Sequence, residues 1–193
     1  MQANAIVGHG EKRRKLDYYP TPPEATQALL DYLQLPKKTK IWECACGTGS
    51  MVDVIRSNGY ACVGTDIVTG HDFLTHREDC DWIITNPPFF LAEQFIVRAG
   101  QIGVPFALLL KSQYWHSQKR LAIFRAYQPT AVLPLTWRPD FTGEGGSLMD
   151  MIWCVWNGGD GQTIYCPLER PVMDNTTVDQ IRMDILGESV EIK

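Results

Sequence analysis

The 193-residue chain lacks the features of several large protein classes. Its longest apolar run covers residues 104–110, far fewer than the ~20 residues that a membrane-spanning helix requires. Charged residues stand in the N-terminal sequence MQANAIVGHGEKRRK where a secretory signal would have its apolar segment. No C-x-x-C pair occurs among the six cysteines, so we expect reduced thiols in a cytosolic protein. The net charge of −4 excludes a histone-like protein that binds nucleic acid through bulk charge.

Acidic residues are missing from a 46-residue stretch in the middle of the chain. Residues 94–139 carry six basic side chains and no carboxylate, whereas the net charge is −3 over residues 1–93 and −7 over residues 140–193. If the basic side chains share one surface, they form a positive face that can hold phosphates. If acidic segments pack beside them, that face is neutralised. The sequence leaves both alternatives open.

Strand-like and helix-like segments alternate along the chain, and Pro22 and Pro23 begin the first helix, with Thr21 as its expected cap. The repeated β-α-β order predicts a Rossmann-like, mostly parallel sheet with helices on both faces and an antiparallel C-terminal hairpin. We expect one domain over residues 1–193, with a basic arm over 1–16 and an acidic extension over 158–193. The predicted strands cover residues 39–45, 60–67, 80–85, 104–111, 130–137, 149–156 and 163–166, and the predicted helices cover 22–35, 50–57, 91–99, 117–127 and 178–186.

A glycine loop follows the first predicted strand. Gly47 and Gly49 let a ligand approach the backbone closely, but Val52 stands where a dinucleotide fingerprint has its third glycine. Glu43, four residues before Gly47, suits a ligand with a cationic amine better than one with a pyrophosphate. Asp66 ends the second predicted strand, where an acid can accept hydrogen bonds from ribose hydroxyls or can simply cap a turn. Together these residues indicate a nucleoside ligand without phosphates.

The sequence Asn86-Pro87-Pro88-Phe89 follows the third predicted strand. The two prolines fix the backbone and remove two N–H donors, which leaves an array of acceptors beside an amide and an aromatic ring. Asn86 Oδ1 and the Pro87 carbonyl can accept the two N–H bonds of an exocyclic amine, and Phe89 can stack on the base that carries it. The alternative is a proline-rich turn beside a core aromatic residue.

In this order the motifs resemble those of S-adenosylmethionine-dependent amino-methyltransferases, and most closely the N6-adenine DNA methyltransferases. The segment DYYPTPPE, residues 17–24, is similar to the motif that these enzymes place before the glycine loop in the order called gamma. The segment WRPDF, residues 137–141, and the W-x-x-W strand after it look like those of small phage or prophage members. Four further motifs that match the family lie in the chain between these two segments: Glu43-x-x-x-Gly47-x-Gly49, Asp66, Asp72-Phe73-Leu74 and Asn86-Pro87-Pro88-Phe89.

The resemblance covers about residues 17–156 and implies a cytoplasmic enzyme of a bacterial or phage-infected cell. The target N6 amine of a flipped adenine in DNA would be held by the catalytic residues Asn86, Pro87, Pro88 and Phe89. Methylation of RNA (adenine N6 or guanine N2) or of a protein glutamine is the alternative, and an inactive nucleic-acid-binding homologue is the third hypothesis. S-Adenosylmethionine would be bound by Thr21, Glu43, Cys44, Gly47, Gly49, Asp66, Ile67, Asp72, Phe73 and Asn86.

Two departures from the family pattern affect these expectations. Only about 20 residues separate Asp66 from Asn86, too few for a full strand and two helices, so we expect the sheet to lack the strand outside the second one. There is no room for a large recognition domain, so the enzyme would be weakly specific or would rely on a homodimer or a separate specificity subunit. We expect no metal site, since the His71, His76 and Cys80 set lacks a fourth ligand. The candidate nucleic-acid contacts are Lys12, Arg13, Arg14, Lys111, Lys119, Arg120, Arg138 and Phe141.

Overall fold

The computed structural model describes residues 20–143, 145, 149–159 and 161–173. The predicted helix over 178–186 and the candidate contacts Lys12, Arg13 and Arg14 lie outside the described residues. The helices are α1 (Pro23–Leu33), α2 (Ser50–Ser57), α3 (Ala92–Ile102) and α4 (Leu121–Ala126). The strands are β1 (Lys40–Glu43), β2 (Ala61–Gly64), β3 (Trp82–Thr85), β4 (Phe106–Lys111), β5 (Ala131–Pro134), β6 (Met151–Trp156) and β7 (Ile164–Tyr165).

The strands of the described residues form one sheet in the order β2-β1-β3-β4-β6-β5-β7. Strands β2, β1, β3 and β4 are parallel, whereas β6 runs antiparallel to both of its neighbours, β4 and β5. The short strand β7 pairs with β5 in parallel. This topology confirms the predicted Rossmann-like sheet, which is mostly parallel with an antiparallel C-terminal pair.

Strand β2 forms one edge of the described sheet, as the short interval between Asp66 and Asn86 predicts. Cys62 is buried, whereas Ala61 and Val63 are exposed, and Val63 keeps 43% of its surface accessible. Arg56, at the end of α2, donates from Nε and Nη2 to the carbonyl oxygen of Cys62, at 3.3 and 2.9 Å. The guanidinium group therefore occupies a main-chain acceptor of the edge strand.

The hydrophobic core lies on both faces of the sheet. Along β4, Ala107 and Leu109 belong to the cluster that packs against α1 and α2, whereas Leu108 and Leu110 belong to the cluster that includes α3. Successive side chains of a strand point to opposite faces, so a strand covered on both sides is apolar at every position. This is why residues 104–110 read as a continuous apolar run.

Helices α1, α3 and α4 differ from the predictions at both ends, and α1 also differs in its cap. Pro22 is the N-cap residue of α1 and no side chain caps it, so the expected cap by Thr21 is wrong. Proline at the first helical position needs no partner for an N–H and already has a helical φ, which explains why the cap is dispensable. Helix α4 is shorter than predicted because the 3-10 turns Ser112–Trp115 and Gln118–Arg120 precede it. None of the described helices is long and apolar enough to cross a membrane.

Candidate functional site

A cavity of about 300 Å³ opens beside the carboxyl ends of β1 and β3. The chain leaves β1 for β2 on one side and returns to β3 on the other, and ligands of open α/β sheets bind at such a switch point. We call it the acidic cavity, because three carboxylates and no described Lys or Arg line it. Of the residues that the sequence assigns to the cofactor and the acceptor amine, Gly49 is absent from the lining. Those present are Thr21, Glu43, Cys44, Gly47, Asp66, Ile67, Asp72, Phe73, Asn86, Pro87, Pro88 and Phe89.

The glycine loop shapes one wall of the acidic cavity. Gly49 has φ 95°, a conformation that favours glycine, and α2 begins at the next residue. Val52 of α2 is buried, and a Cβ added to Gly64 of β2 would come within 2.8 Å of its Cγ2 atom. Gly64 therefore provides the space between helix and strand that a third glycine provides in the dinucleotide fingerprint.

Glu43 is buried at the end of β1, with 1% of its surface exposed. Its Oε1 atom accepts hydrogen bonds from the Thr85 hydroxyl and, at 3.3 Å, from the Ala45 N–H. Its Oε2 atom has no partner among the described residues. Burial raises the pKa of Glu43 to about 8, against the opposing effect of the bonds from Thr85 and Ala45. A buried carboxyl with an unpartnered oxygen suits a ligand that brings a cationic donor.

Asp66 and Asp72 each stabilise a turn and also line the acidic cavity. Asp66 accepts from the N–H groups of Val68 and Gly47, both at 2.9 Å. Asp72 Oδ1 accepts from the Leu74 N–H at 2.9 Å. A carboxylate has about four lone-pair sites, so both side chains keep capacity for a ligand. The turn-capping role that the sequence offered as the alternative is therefore present together with the position at the cavity wall.

Asn86 follows β3, and its amide is oriented by Thr21, which lies 65 residues away in sequence. Asn86 Nδ2 donates to Thr21 Oγ1 at 3.0 Å, while Asn86 Oδ1 is buried with no partner among the described residues. Pro87 and Pro88, which come next, have no N–H to offer. The arrangement leaves a free acceptor at the head of the loop.

Phe89 and Phe90 separate the acidic cavity from a neighbouring cavity of about 330 Å³, since both residues line both cavities. Lys111 Nζ lies 4.3 Å from the centre of the Phe89 ring. We call this second space the basic cavity, because Lys111 and Arg120 line it and no described carboxylate does. Its remaining lining residues are Ala92, Leu110, Gln113 and Tyr114.

The structure does not bring the other candidate nucleic-acid contacts to either cavity. Phe141 is 8% exposed in the hydrophobic core, so the contact expected for its ring is not available in this conformation. Arg138 pairs with Asp150 at 2.8 Å, and Lys119 is exposed outside both cavities. Among the described residues, no group of three or more His, Cys, Asp or Glu side chains could hold a metal ion.

Sequence reasoning missed several lining residues of the acidic cavity because they carry no motif. Ser50 and Met51 begin α2 directly after the glycine loop, and Phe95 lies in the first turns of α3, after the NPPF segment. Their position on the helix that follows a motif loop is the signal that could have found them. Phe95 also packs against Phe73, with ring centres 4.6 Å apart.

No protein-family model matches the chain, and no curated protein matches it. The structure is similar to the M protein of the type I restriction enzyme EcoKI, with a TM-score of 0.59 and 13% identity over 83% of this chain and 51% of that chain. A candidate RNA methyltransferase from Pyrococcus horikoshii gives a TM-score of 0.53 and 14% identity, over 81% of this chain and 93% of that one.

A candidate class I S-adenosylmethionine-dependent methyltransferase from Listeria monocytogenes gives a TM-score of 0.54 and 14% identity, over 83% of this chain and 68% of that chain. The chain thus spans about half the length of the EcoKI protein and two thirds of the Listeria protein. At these identities the likeness concerns the fold. The chain has the Rossmann-like α/β fold of class I methyltransferases.

Proposed function

We propose that the chain transfers a methyl group from S-adenosylmethionine to the exocyclic N6 amine of adenine in DNA. The observation that carries the proposal is the buried, unpartnered Asn86 Oδ1 in a cavity that is also lined by Glu43, whose Oε2 atom is likewise unpartnered. One acceptor suits the amine to be methylated, and the other suits a cationic methyl donor. The motif order favours adenine in DNA, and the EcoKI M protein, with a similar fold, belongs to a restriction enzyme.

The lining of the acidic cavity fits S-adenosylmethionine. Glu43 Oε2 would accept from the amine of the methionine part, which satisfies a buried oxygen that otherwise has no partner. Asp66 would accept from the ribose hydroxyls and Asp72 from the adenine amino group, with Phe73 packing on that ring. The cofactor carries a net positive charge and no phosphate. The carboxylates of Asp66 and Asp72 favour such a ligand, and its amine would favour the ionised form of Glu43 as well.

The chemistry follows from what Asn86 and Pro87 can accept. The lone pair of an N6 amine is delocalised into the adenine ring, so the amine is a weak nucleophile. Acceptance of both N–H bonds by Asn86 Oδ1 and the Pro87 carbonyl favours a pyramidal nitrogen, which localises the lone pair. When bound, S-adenosylmethionine supplies a methyl group whose bond to sulfur breaks, with the electron pair kept by sulfur, as the bond to nitrogen forms. The methylated amine then loses one proton to solvent.

The nucleic-acid contacts and the partners are part of the same proposal. Lys111 and Arg120 line the basic cavity beside Phe89 and would contact the nucleic acid. Lys119 is exposed near them in sequence, and we propose it as a peripheral contact. A homodimer or a separate specificity subunit would complete sequence recognition, which light scattering of the purified protein with and without DNA would measure.

The decisive experiment measures the methylated product. The protein is incubated with S-adenosylmethionine and unmethylated genomic DNA, the DNA is digested to nucleosides, and N6-methyladenine is quantified by mass spectrometry. We expect product from the wild type and from the control Asn157→Ala, which changes an exposed asparagine, and roughly 100- to 1,000-fold less from Asn86→Ala. If no methylated base forms although the cofactor binds, the DNA proposal is wrong, and parallel reactions with RNA and glutamine-containing protein test the alternatives.

A further inference from the structure

We propose that the basic cavity binds the phosphate next to the acceptor base, and that Lys111 leaves the ring of Phe89 to make this contact while the base takes its place on the ring. The inference rests on the proposed function, because it assigns the second cavity to the acceptor nucleotide. It names an anionic ligand for a cavity that the cofactor does not use.

The first argument is uncompensated charge. Lys111 and Arg120 line the basic cavity, and neither makes an ion pair with a carboxylate among the described residues. Two other cations of residues 94–139 already have hydrogen-bond partners. Arg138 pairs with Asp150, and Arg98 donates to the main-chain oxygens of Phe73 and His76. Two unpaired cations in one concave space attract an anion.

The second argument is the position of the Lys111 ammonium group over Phe89, 4.3 Å from the ring centre. A cation over an aromatic face is held weakly when water is near. A flat base stacks on that same face with a larger contact area and would displace the ammonium group. Lys111 stands at the end of β4, so its flexible side chain can move from the ring to a phosphate without a change of the backbone.

The third argument concerns hydrogen-bond donors that the fold prepares but does not use. Tyr114 is 5% exposed and lines the basic cavity, and its hydroxyl has no partner among the described residues. Burial raises the pKa of Tyr114 to about 12, so the hydroxyl stays protonated at neutral pH. Arg120 lies over the Tyr114 ring, and its Nη1 atom donates to the Tyr114 carbonyl at 2.7 Å. This bond fixes the guanidinium group and leaves its other N–H groups for a phosphate.

Glu93 is a carboxylate near the basic cavity that opposes an anion. Glu93 is exposed on α3 and contributes to the raised pKa of Tyr114, although it does not line the cavity. In water an exposed carboxylate is screened, whereas Lys111 and Arg120 act at the cavity wall itself. The balance of charge in the cavity is therefore positive.

The test compares 2′-deoxyadenosine 5′-monophosphate with 2′-deoxyadenosine as ligands, by NMR titration of the wild type, Lys111→Ala and Arg125→Ala. Arg125→Ala removes an exposed cation of the same basic stretch that lies outside the cavity. We expect the monophosphate to bind the wild type and Arg125→Ala about tenfold more tightly than the nucleoside, the effect of one charge-assisted hydrogen bond. In Lys111→Ala the ratio should fall toward one, and the preference that remains comes from Arg120 and Tyr114. A Lys111→Ala ratio equal to that of the wild type would overturn the inference.

The same variants separate this inference from the proposed function. The titration needs no methyl transfer, so it decides the phosphate question even if the wild type methylates no DNA. If DNA is methylated, an oligonucleotide with a mapped target adenine is compared with one whose adjoining phosphates are replaced by neutral methylphosphonates. We expect the replacement to raise KM for the wild type and to have less effect on Lys111→Ala. Equal effects on both proteins would contradict the phosphate contact while leaving the function intact.

Discussion

The two cavities on either side of Phe89 and Phe90 have opposite charge. Three carboxyl side chains, two of them the aspartates Asp66 and Asp72, line the acidic cavity, and Lys111 and Arg120 line the basic cavity. Neither lining has a described charge of the opposite sign. A cationic ligand and an anionic ligand can therefore approach one neutral aromatic wall from two sides. Each cavity also disfavours the ligand of the other, because like charges repel. Under the proposed function, this difference would place the methyl donor and the nucleic acid in separate cavities that meet at Phe89 and Phe90.

The comparison also resolves the alternative that the sequence left open for the acid-free stretch. Residues 94–139 neither form one continuous positive face nor are wholly neutralised. Lys111 and Arg120 meet in one cavity, whereas Arg98 is used by main-chain oxygens and Arg138 by a carboxylate. Two of the six cations therefore meet beside Phe89, while Lys119 and Arg125 are exposed outside the basic cavity.

The largest expected effect comes from Asn86→Ala, which removes the free acceptor in the lining of the acidic cavity. We expect kcat to fall roughly 100- to 1,000-fold, as when an oriented group that stabilises a transition state is lost. The affinity for S-adenosylmethionine should change much less, because Glu43 and the aspartates are intact.

Thr21→Val, which removes the acceptor for Asn86 Nδ2, should reduce kcat by about tenfold through loss of orientation. Single-turnover rates and cofactor titrations measure both effects, and a kcat for Asn86→Ala within threefold of wild type would contradict the proposed role.

Glu43→Gln reduces the difference in charge between the two cavities. It should weaken S-adenosylmethionine binding by about tenfold, because a charge-assisted hydrogen bond becomes a neutral one. DNA affinity should not change, since Glu43 does not line the basic cavity. Calorimetry measures the affinity for the cofactor, and fluorescence anisotropy measures the affinity for DNA. The exposed Glu169→Gln serves as the control. A loss of DNA affinity equal to the loss of cofactor affinity would show that the cavities are not independent.

Gly64→Ala tests the packing behind the acidic cavity. A Cβ at this position would lie 2.8 Å from Val52 Cγ2, so we expect unfolding free energy to fall by about 1–3 kcal/mol through overpacking. Val52→Ala itself costs stability because Val52 is buried, so the comparison is a double-mutant cycle. Gly64→Ala should cost less in the Val52→Ala background than in the wild type, because the crowded methyl group is absent. Urea denaturation of the two single variants and the double variant gives the values, and an equal cost in both backgrounds would mean that another contact of residue 64 is responsible.

The pH dependence of stability tests the burial of Glu43 directly. Burial raises the folded-state pKa from the ordinary value of 4.5 to about 8, so the folded protein binds more protons than the unfolded chain between these values. Stability from this residue is complete below about pH 4.5 and is lost as pH rises through about 8. Thermal unfolding from pH 4 to 9 should therefore show a decline for the wild type relative to Glu43→Gln. S-Adenosylmethionine should reduce this decline, because its amine stabilises the carboxylate. A constant difference in Tm across the range would contradict the raised pKa.

Arg138→Ala should have the smallest effect. Arg138 and Asp150 form an ion pair whose side chains are both 62% exposed, and such pairs contribute little to stability. We expect less than about 0.5 kcal/mol in urea denaturation and about a twofold change in DNA affinity. A larger loss of DNA affinity than for Lys111→Ala would show that the basic cavity is not the main anionic site.

The parts of the site that the sequence predicts are those attached to strand ends. Glu43 and Asn86 end or follow parallel neighbouring strands, and the carboxyl ends of such strands meet at one edge of the sheet. The bond between Thr21 and Asn86 was not predictable, because it depends on how an N-terminal segment folds back over 65 residues. The burial of Phe141 was likewise decided by packing, since an aromatic residue in a polar loop suits either a core or a contact surface.

The packing of Val52 against Gly64 explains how the glycine loop can lack the third glycine of the fingerprint. A fingerprint is defined along one stretch of chain, but the space that it provides lies between a helix and a strand. Here the small residue stands on the strand and the large one on the helix. The spacing of the loop sequence shows that the third glycine is missing at Val52, but it does not show that Gly64 on β2 takes its place.

The bond from Arg56 to the Cys62 carbonyl has a consequence for how copies of the protein can associate. A free edge strand offers its main chain to any other extended strand, and proteins limit such cross-chain pairing with short edges and charged side chains. Strand β2 has four residues, and the Arg56 guanidinium both occupies one of its acceptors and brings a positive charge to the edge. Two copies aligned along β2 would bring these charges together and would have to break both bonds. Self-association by sheet extension is thereby disfavoured at this edge, so a dimer would form through another surface of the molecule.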